Sequence, residues 1–162
     1  MALENIDSSS TLLAYLRTAT KASDVRDLVY EGATNILEAG DITPTILASL
    51  EDSRRTDDEL DKALAIAVQD AGDDPYTVKG MNVEFVIVRI YDRSRGNRNL
   101  RAVRLALQKL FRANTQLPFK TGIGSGMLKL QYDGRAGHLY DTRFSVDFEA
   151  LTYRSIVASD RS

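Results

Sequence analysis

The sequence predicts an α+β protein in which helices cover one face of a largely antiparallel β-sheet. Three observations lead to this class. A run rich in Val, Ile and Phe from Val83 to Tyr91 is typical of a central strand. An amphipathic stretch from Leu100 to Ala113 follows it and predicts a helix that packs on the sheet through one apolar stripe, formed by Leu100, Val103, Leu107, Leu110 and Phe111. Two apolar segments then flank the turn-rich sequence DGRAG, which predicts a C-terminal β-hairpin.

The length of the chain favours a single domain. Its 162 residues are enough to enclose one core without disulfides or metals. Because the sequence shows neither an internal repeat nor a linker, we expect residues 1–162 to form one domain, with flexible ends at 1–8 and 159–162. The N-terminus lacks the features of a signal peptide, and no run approaches the ~18 apolar residues of a membrane-spanning helix.

The first helix is predicted to begin at the serines of positions 8–10, which are good N-caps, and to end near Lys21. Its apolar face is formed by Leu12, Leu13 and Leu16. A second helical turn is expected from Ser23. A strand is expected from Ile42 to Leu50, where Pro44 restricts it to a sheet edge or to the start of a strand.

Residues 57–70 allow two interpretations. Thr56 and Glu59 match a capping box, and the apolar residues Leu60, Leu64 and Val68 recur at helical spacing. The apolar residues Leu64, Ile66 and Val68 also alternate with small alanines, as in a strand. The local pattern slightly favours the helix. The sequence Asp73-Asp74-Pro75 predicts a turn in either case.

In the C-terminal half, Asn99 is a candidate N-cap for the helix that begins at Leu100. Residues 114–126 are expected to be a connection. The hairpin is predicted to pair Met127–Tyr132 with His138–Tyr153. The core face of its second strand is expected to consist of alternate apolar residues, namely Phe144, Val146, Phe148 and Ala150.

Composition excludes several kinds of site. The chain has no cysteine, which excludes disulfides, thiolate metal sites and a cysteine nucleophile. Its single histidine excludes a histidine-rich metal site or a histidine dyad. We therefore expect no catalytic residue, no metal and no cofactor, and a protein that is not an enzyme.

Three weaker signals have simpler explanations. The glycine-rich TGIGSG of residues 121–126 follows a helix and precedes a strand, whereas phosphate-binding loops connect a strand to a helix. His138 lies in the predicted hairpin turn, and the sequence places no nucleophile beside it. The carboxylates of residues 57–61 lack the spacing of a calcium loop and fit a solvated helix start.

Charge is unevenly distributed along the chain. The net charge of −2 combines −10 over residues 1–92 with +8 over residues 93–162. The two parts are therefore expected to present different electrostatic surfaces. The densest basic segment is residues 93–112, RSRGNRNLRAVRLALQKLFR, which holds seven Lys and Arg residues and no acidic one.

This basic segment is the candidate functional site. At ~0.15 M salt the Debye length is about 8 Å, so neighbouring cations of this segment repel one another. Acidic groups of another chain would reduce this repulsion. We predict a subunit or partner interface formed by Arg95, Arg98, Arg101, Arg104, Leu105 and Arg112. The cations Arg93, Arg95 and Arg98 could instead face a lumen and contact DNA phosphates. Ordinary solvated surface is the third interpretation.

In their order and residue patterns, four segments resemble the tail terminator, or tail completion, proteins of long-tailed viruses of bacteria and archaea. The segments are SSSTLLAYLR, VEFVIVRIYDR, NLRAVRLALQKLF and MLKLQYDGRAGHLYDTRFSVDFEALTYR. The resemblance lies in the order, length and residue patterns of the segments rather than in a diagnostic motif. It implies a strand within residues 57–70, and for that reason we expect Lys62 to Gln69 to be a strand.

The resemblance implies a small α+β subunit that closes with other copies into a ring, usually of six. Such a ring sits on the head-proximal end of the tail tube, ends tube growth and joins the tail to the neck of the capsid. The implied partners are further copies of the chain, the tail tube protein, a neck or head-completion protein, and DNA that passes transiently and non-specifically through the lumen. No membrane is implied. The implied location is the tail or neck of the virion, after assembly in the host cytoplasm.

Three other functions stay open. The first is a neck or head-closure connector, which is also a ring but contacts the portal side of the capsid. The second is a nucleic-acid-binding domain that uses residues 93–112, although the whole chain lacks a net positive charge. The third is a small hydrolase built on scattered Asp and Glu, for which the sequence shows no nucleophile–base pair.

Overall fold

The computed structural model describes residues 8–43, 59–75, 81–93, 98–113, 116–121 and 124–158. Within them, three α-helices accompany one six-stranded sheet, which confirms the predicted α+β class. The helices are α1 (Ser8–Thr18), α2 (Ser23–Arg26) and α3 (Arg98–Ala113). The strands are β1 (Ile36–Glu38), β2 (Ala65–Pro75), β3 (Met81–Asp92), β4 (Gln116–Thr121), β5 (Gly124–Asp141) and β6 (Val146–Ala158). None of the helices in these residues is long and apolar enough to cross a membrane.

The sheet has the strand order β1–β2–β3–β6–β5–β4. β1 pairs with β2 in parallel, and the other neighbouring strands are antiparallel. After β3 the chain passes through α3 to the opposite edge of the sheet, and β4, β5 and β6 lead back until β6 lies beside β3. This topology makes β3 a central strand, as its continuous apolar run predicts.

The main core lies between the sheet and the helices α1 and α3, which pack on the same face. Alternate residues of β3 point to this face, and Val86, Val88 and Ile90 are buried there. α3 contributes buried residues at intervals of three and four, namely Leu100, Val103, Leu107, Leu110 and Phe111. This stripe is the one that the sequence predicts. Truncation of a fully buried leucine such as Leu107 to Ala would cost about 2–5 kcal/mol.

The start of α1 is held by a carboxylate from the sheet. The backbone N–H of Ser8 donates to Oε1 of Glu84 at 2.9 Å, and the hydroxyl of Ser8 donates to the same oxygen at 2.5 Å. The Ser8 and Ser155 hydroxyls are 2.6 Å apart. A negative charge is favourable at the positive end of a helix. Ser8, the last residue of the predicted N-terminal end, is buried at the start of this helix, and residues 1–7 and 159–162 lie outside the described residues.

The first strand does not lie where the sequence predicts it. At the start of the predicted strand Ile42–Leu50, Ile42 follows a 3₁₀ turn at Ala39–Asp41 and is not in a strand; residues 44–50 lie outside the described residues. The first strand is β1, whose three residues pair with Ile66–Val68. Three residues are too few to show the alternation on which strand prediction depends.

The strand predicted from Lys62 to Gln69 is confirmed from Ala65 onward, whereas residues 62–64 precede the strand. β2 begins at Ala65, and Glu59–Asp61 form only a 3₁₀ turn, so the helix favoured by the capping box is wrong. The predicted turn at Asp73–Pro75 is also wrong, because β2 continues beyond a bulge that follows Asp70. β1 pairs only with Ile66–Val68, so among the described residues no strand pairs with Pro75 on that side of β2. A proline is tolerated there because it has no N–H to donate to a neighbouring strand.

The C-terminal hairpin turns later than the sequence predicts. β5 passes through DGRAG, with register shifts after Tyr132 and after Ala136, so His138 lies in a strand and not in a turn. The turn comes after Asp141, whose carboxylate accepts hydrogen bonds from the backbone N–H of Arg143 at 3.0 Å and from its guanidinium at 2.9 Å. An Asp side chain that binds the backbone two residues ahead stabilises a tight turn.

One further prediction for the C-terminal half is wrong, and another is correct only in part. Residues 114–126, expected to be a connection, contain β4; its Pro118 is tolerated because β4 is the outermost strand. In β6, the residues that face the helices are Glu149, Leu151, Tyr153 and Ser155, which alternate with the predicted core residues. Val146 and Phe148 instead join a smaller cluster on the other face of the sheet. Both faces of β6 carry large residues, so alternation alone does not show which face meets the helices.

Candidate functional site

The outward face of α3 carries exposed residues at intervals of three or four. They are Arg98, Arg101, Leu105, Lys109 and Arg112, and we call them the basic stripe. The side chain of Leu105 is 50% exposed at the centre of this stripe. The stripe therefore combines apolar area with positive charge uninterrupted by acidic residues, a combination that suits an acidic protein surface.

Arg104 does not belong to the stripe. Its side chain is only 17% exposed, and its Nε lies 3.2 Å from Oε2 of Glu149, which is 6% exposed. The two atoms are not aligned as a hydrogen bond, so their attraction is mainly Coulombic. This ion pair connects α3 to β6. The sequence predicts Arg104 as an interface contact, whereas the structure gives it a partner in its own chain.

Arg98 also has an acidic partner in its own chain. Its Nη2 lies 2.5 Å from Oδ1 of Asp61, and both side chains are largely exposed. An exposed pair of this kind contributes about 0–1 kcal/mol, so it leaves Arg98 able to change partners. At Arg98 and Arg104, carboxylates of the same chain thus supply the opposite charge that the sequence analysis expects from another chain.

The start of α3 is fixed by the amide of Asn99. Its Nδ2 donates to Oδ2 of Asp92 at 2.6 Å, to the carbonyl of Leu60 at 2.9 Å and to the carbonyl of Lys62 at 3.3 Å. Asn99 is buried within the first turn of the helix rather than at its N-cap. One side chain thus ties the basic helix to the end of β3 and to the segment that enters β2.

A cleft of about 440 Å³ lies beside the C-terminal half of the basic stripe, between α3 and the strands β5 and β6. Its buried residues are Phe111, Leu130 and Tyr153, and its more exposed ones are Gln108, Arg112, Gln131 and Tyr132. The cleft therefore offers aromatic surface beside a guanidinium, a primary amide and a tyrosine hydroxyl. Such a site suits a segment that carries hydrogen-bond acceptors or negative charge.

Tyr153 is the most buried of these residues. Its ring meets those of Phe111 and Tyr132 edge to face, with centroids 5.2 Å and 5.9 Å apart. Among the described residues its hydroxyl has no hydrogen-bond partner. Burial raises the pKa of Tyr153 well above its ordinary value, and Tyr132 adds to the effect. The hydroxyl therefore stays protonated near neutral pH and can donate to an acceptor that enters the cleft.

Exposed acidic residues lie at the other edge of the sheet. Glu38 ends β1, Asp41 ends the 3₁₀ turn that follows it, and Asp70 lies on the neighbouring strand β2; we call these three residues the acidic edge. Glu38 and Asp70 line one small depression together with Gly40 of the turn. β1 and β5 are four positions apart in the strand order, and the acidic depression and the cleft share no lining residue, so they are separate surfaces of the subunit.

The remaining residues singled out by the sequence are placed as follows. Arg93 directly follows β3 and is half-buried, whereas Arg95 lies outside the described residues. Of the predicted carboxylate cluster, Asp61 pairs with Arg98, and residues 57 and 58 lie outside the described residues. No group of three or more His, Asp and Glu side chains in the described part of the chain could hold a metal ion.

The sequence patterns do not reveal the cleft. Phe111 is predicted only as a core residue of α3, and Tyr132 and Tyr153 only as strand residues. Tyr153 is not among the alternate residues of β6 that the sequence predicts on the core face. No sequence pattern therefore predicts that it lies beside Phe111. The register of β5 and β6, which pairs the two tyrosines, is the missing information.

Comparison with known proteins shows a likeness at the level of the fold. No model of a protein family matches the chain, and no curated protein matches it. Among solved structures, a chain described as "Virion of native gene transfer agent (GTA) particle" superposes with a TM-score of 0.54 at 13% sequence identity. This chain is similar in fold to that virion chain. The likeness covers 94% of this chain and 95% of the other, so the shared fold extends over the whole domain.

Proposed function

We propose that the chain is a structural subunit of a tailed-virus-like particle and that it has no catalytic role. The observation that supports this proposal is the fold shared over nearly the full length of both chains with a component of a gene transfer agent virion. The resemblance of the helix–strand–helix–hairpin order to tail terminator proteins supports the same conclusion. A location in the virion, at the tail or neck, follows from the proposal.

Within such a particle, we propose that copies of the chain form a ring, most simply of six, on the head-proximal end of the tail tube. The ring ends tube growth and joins the tail to the neck while DNA passes through its lumen. A head-to-tail ring needs two different complementary surfaces on each subunit. The basic stripe on α3 and the acidic edge beside β1 are two such surfaces. The cations Arg93, Arg95 and Arg98, which the sequence places between β3 and the first residue of α3, are candidates for transient contact with DNA phosphates.

The proposal is tested by tail tube assembly. Tube protein is polymerised with and without the purified chain, and tube lengths and ends are measured by electron microscopy. We expect the chain to form a ring at one end of the tube and to prevent further addition of tube protein there. Binding to a portal-side component with no binding to tubes would instead identify a neck connector, and binding to neither would contradict the proposal.

Two leucines of similar exposure provide matched variants for the ring. Leu105, at the centre of the basic stripe, is 50% exposed, and Leu139 of β5 is 43% exposed. Leu105→Asp should prevent ring formation because it places a carboxylate and removes apolar area at the proposed interface. Leu139→Asp should leave rings intact. Both variants should unfold at the wild-type denaturant concentration, since exposed substitutions rarely change stability by more than about 0.5 kcal/mol.

A further inference from the structure

The cleft beside the basic stripe brings together groups that a binding partner could contact. Phe111 and Tyr153 give it an aromatic wall, and Arg112 lies at its edge. The Tyr153 hydroxyl is buried without an acceptor among the described residues, which is unfavourable unless another group supplies one. An occupant with a negative charge or backbone carbonyl groups would satisfy both the guanidinium and the hydroxyl.

A segment with these properties lies elsewhere on the same chain. The 3₁₀ turn Ala39–Asp41 follows β1 at the edge of the sheet, and Glu38 before the turn and Asp41 at its end are both exposed and acidic. Ala39 has a small side chain and Gly40 has none, so the backbone of the turn can approach another surface closely. A Cβ on Gly40 would meet none of the described residues within 4 Å, so they leave space around this turn.

From this complementarity we propose that the turn Ala39–Asp41 of one copy docks into the cleft between α3, β5 and β6 of the next copy. Glu38 and Asp41 then face Lys109 and Arg112, and an oxygen of the turn accepts the hydrogen bond of Tyr153. The assignment rests on the proposed ring and names the surfaces that form it. Because the turn and the cleft are separate surfaces of one subunit, each copy uses both at once, which is the arrangement that a closed ring requires.

A mixing experiment tests this pairing with full-length chains. The cleft variant carries Lys109→Glu and Arg112→Glu, and the edge variant carries Glu38→Lys and Asp41→Lys. Each variant alone brings like charges together at every interface, so its self-association should weaken by about 30-fold or more. In an equimolar mixture, each reversed surface meets its reversed partner, so rings that alternate the two variants should form. Analytical ultracentrifugation and electron microscopy measure the outcome.

Two further variants separate docking from folding. Gly40→Trp adds bulk where the described residues leave open space, so it should block ring formation while the unfolding midpoint stays unchanged. The control is Asp27→Lys, which reverses an exposed charge at the end of α2, a residue of neither the cleft nor the acidic edge. This control should form rings with wild-type affinity.

The possible results distinguish this inference from the proposed function. Wild-type-like rings from the cleft variant or from Gly40→Trp overturn the docking assignment and leave the proposed ring intact. Loss of rings in both charge variants without recovery in the mixture also overturns it, since the surfaces then have other partners. A wild-type chain that forms no ring, in solution or on tubes, contradicts the proposed function itself.

Discussion

The buried ion pair between Arg104 and Glu149 should be one of the largest single contributions of α3 to stability. Arg104→Met leaves the Glu149 carboxylate 6% exposed and without its cation. Removal of one partner of a buried pair costs roughly 3–5 kcal/mol, because the other charge stays buried and uncompensated. The pair is not aligned as a hydrogen bond, and Arg104 is 17% exposed. We therefore expect the lower end of that range, about 3 kcal/mol.

Urea unfolding followed by circular dichroism measures this free energy directly. For a chain of this size, a loss of about 3 kcal/mol lowers the midpoint of thermal unfolding by about 6–12 °C. Glu149→Leu should cost less, because the freed guanidinium of Arg104 can turn toward water. The double variant Arg104→Met/Glu149→Leu should lie within about 1 kcal/mol of the wild type, since an apolar pair of similar volume replaces a buried ion pair at little cost.

The matched control is Arg101→Met, which removes an exposed cation one turn earlier on the same helix. Its effect on the free energy of unfolding should stay within about 0.5 kcal/mol. If Arg104→Met were as mild as Arg101→Met, Glu149 would not depend on Arg104. Arg104 would then be available for the interface contact that the sequence predicts for it.

Three other predictions concern single side chains. Asn99→Ala should lower the free energy of unfolding by about 1–3 kcal/mol, measured in urea, because the carbonyls and the Asp92 carboxylate that it contacts lose their donor. The Arg143 guanidinium holds the pKa of Asp141 in the folded chain below its ordinary value of 3.8. The carboxylate therefore stabilises the fold fully above that value, and this contribution is lost as the pH falls through the lower folded pKa. Asp141→Asn should flatten the decline in stability below about pH 4. Tyr153→Phe should leave the isolated chain about 0–1 kcal/mol more stable at neutral pH, because it removes a hydroxyl without a partner among the described residues. Because burial raises the pKa of Tyr153 above 10.0, the wild type should also lose stability above pH 10, and Tyr153→Phe should lose less.

The parts of the fold that the sequence predicts are those with long, regular patterns. The run from Val83 to Tyr91 and the stripe of α3 each place several large apolar residues at one period, and both are correctly predicted. β1 has three residues and β4 has six, including Pro118, so neither shows a clear period. Their strand conformation depends on pairing with a neighbouring strand, which is a long-range contact that no local window contains.

The hairpin shows how local turn signals can mislead. DGRAG has the glycines and the aspartate of a tight turn, yet β5 passes through it with shifts in register. A bulge uses the same residue types as a turn, because both need a locally irregular backbone. The actual turn is decided by Asp141, which binds the backbone and the side chain of Arg143. The sequence contains this pair, but its turn signal is weaker than that of DGRAG.

The cations of α3 show what sequence can and cannot establish about the site. At 3.6 residues per turn, Leu105 and Arg112 lie within about 40° of Arg101 around the helix, whereas Arg104 lies about 60° away on the side toward the core residues. Helical phase therefore separates the outer cations from Arg104 without any coordinates. Helical phase does not predict the contact with Glu149, which is 45 positions later in the chain. That carboxylate is the reason that Arg104 can be buried. Since Arg104 is used within the subunit, the charge available to a partner is that of the basic stripe, and a test of the interface should alter the stripe and leave Arg104 unchanged.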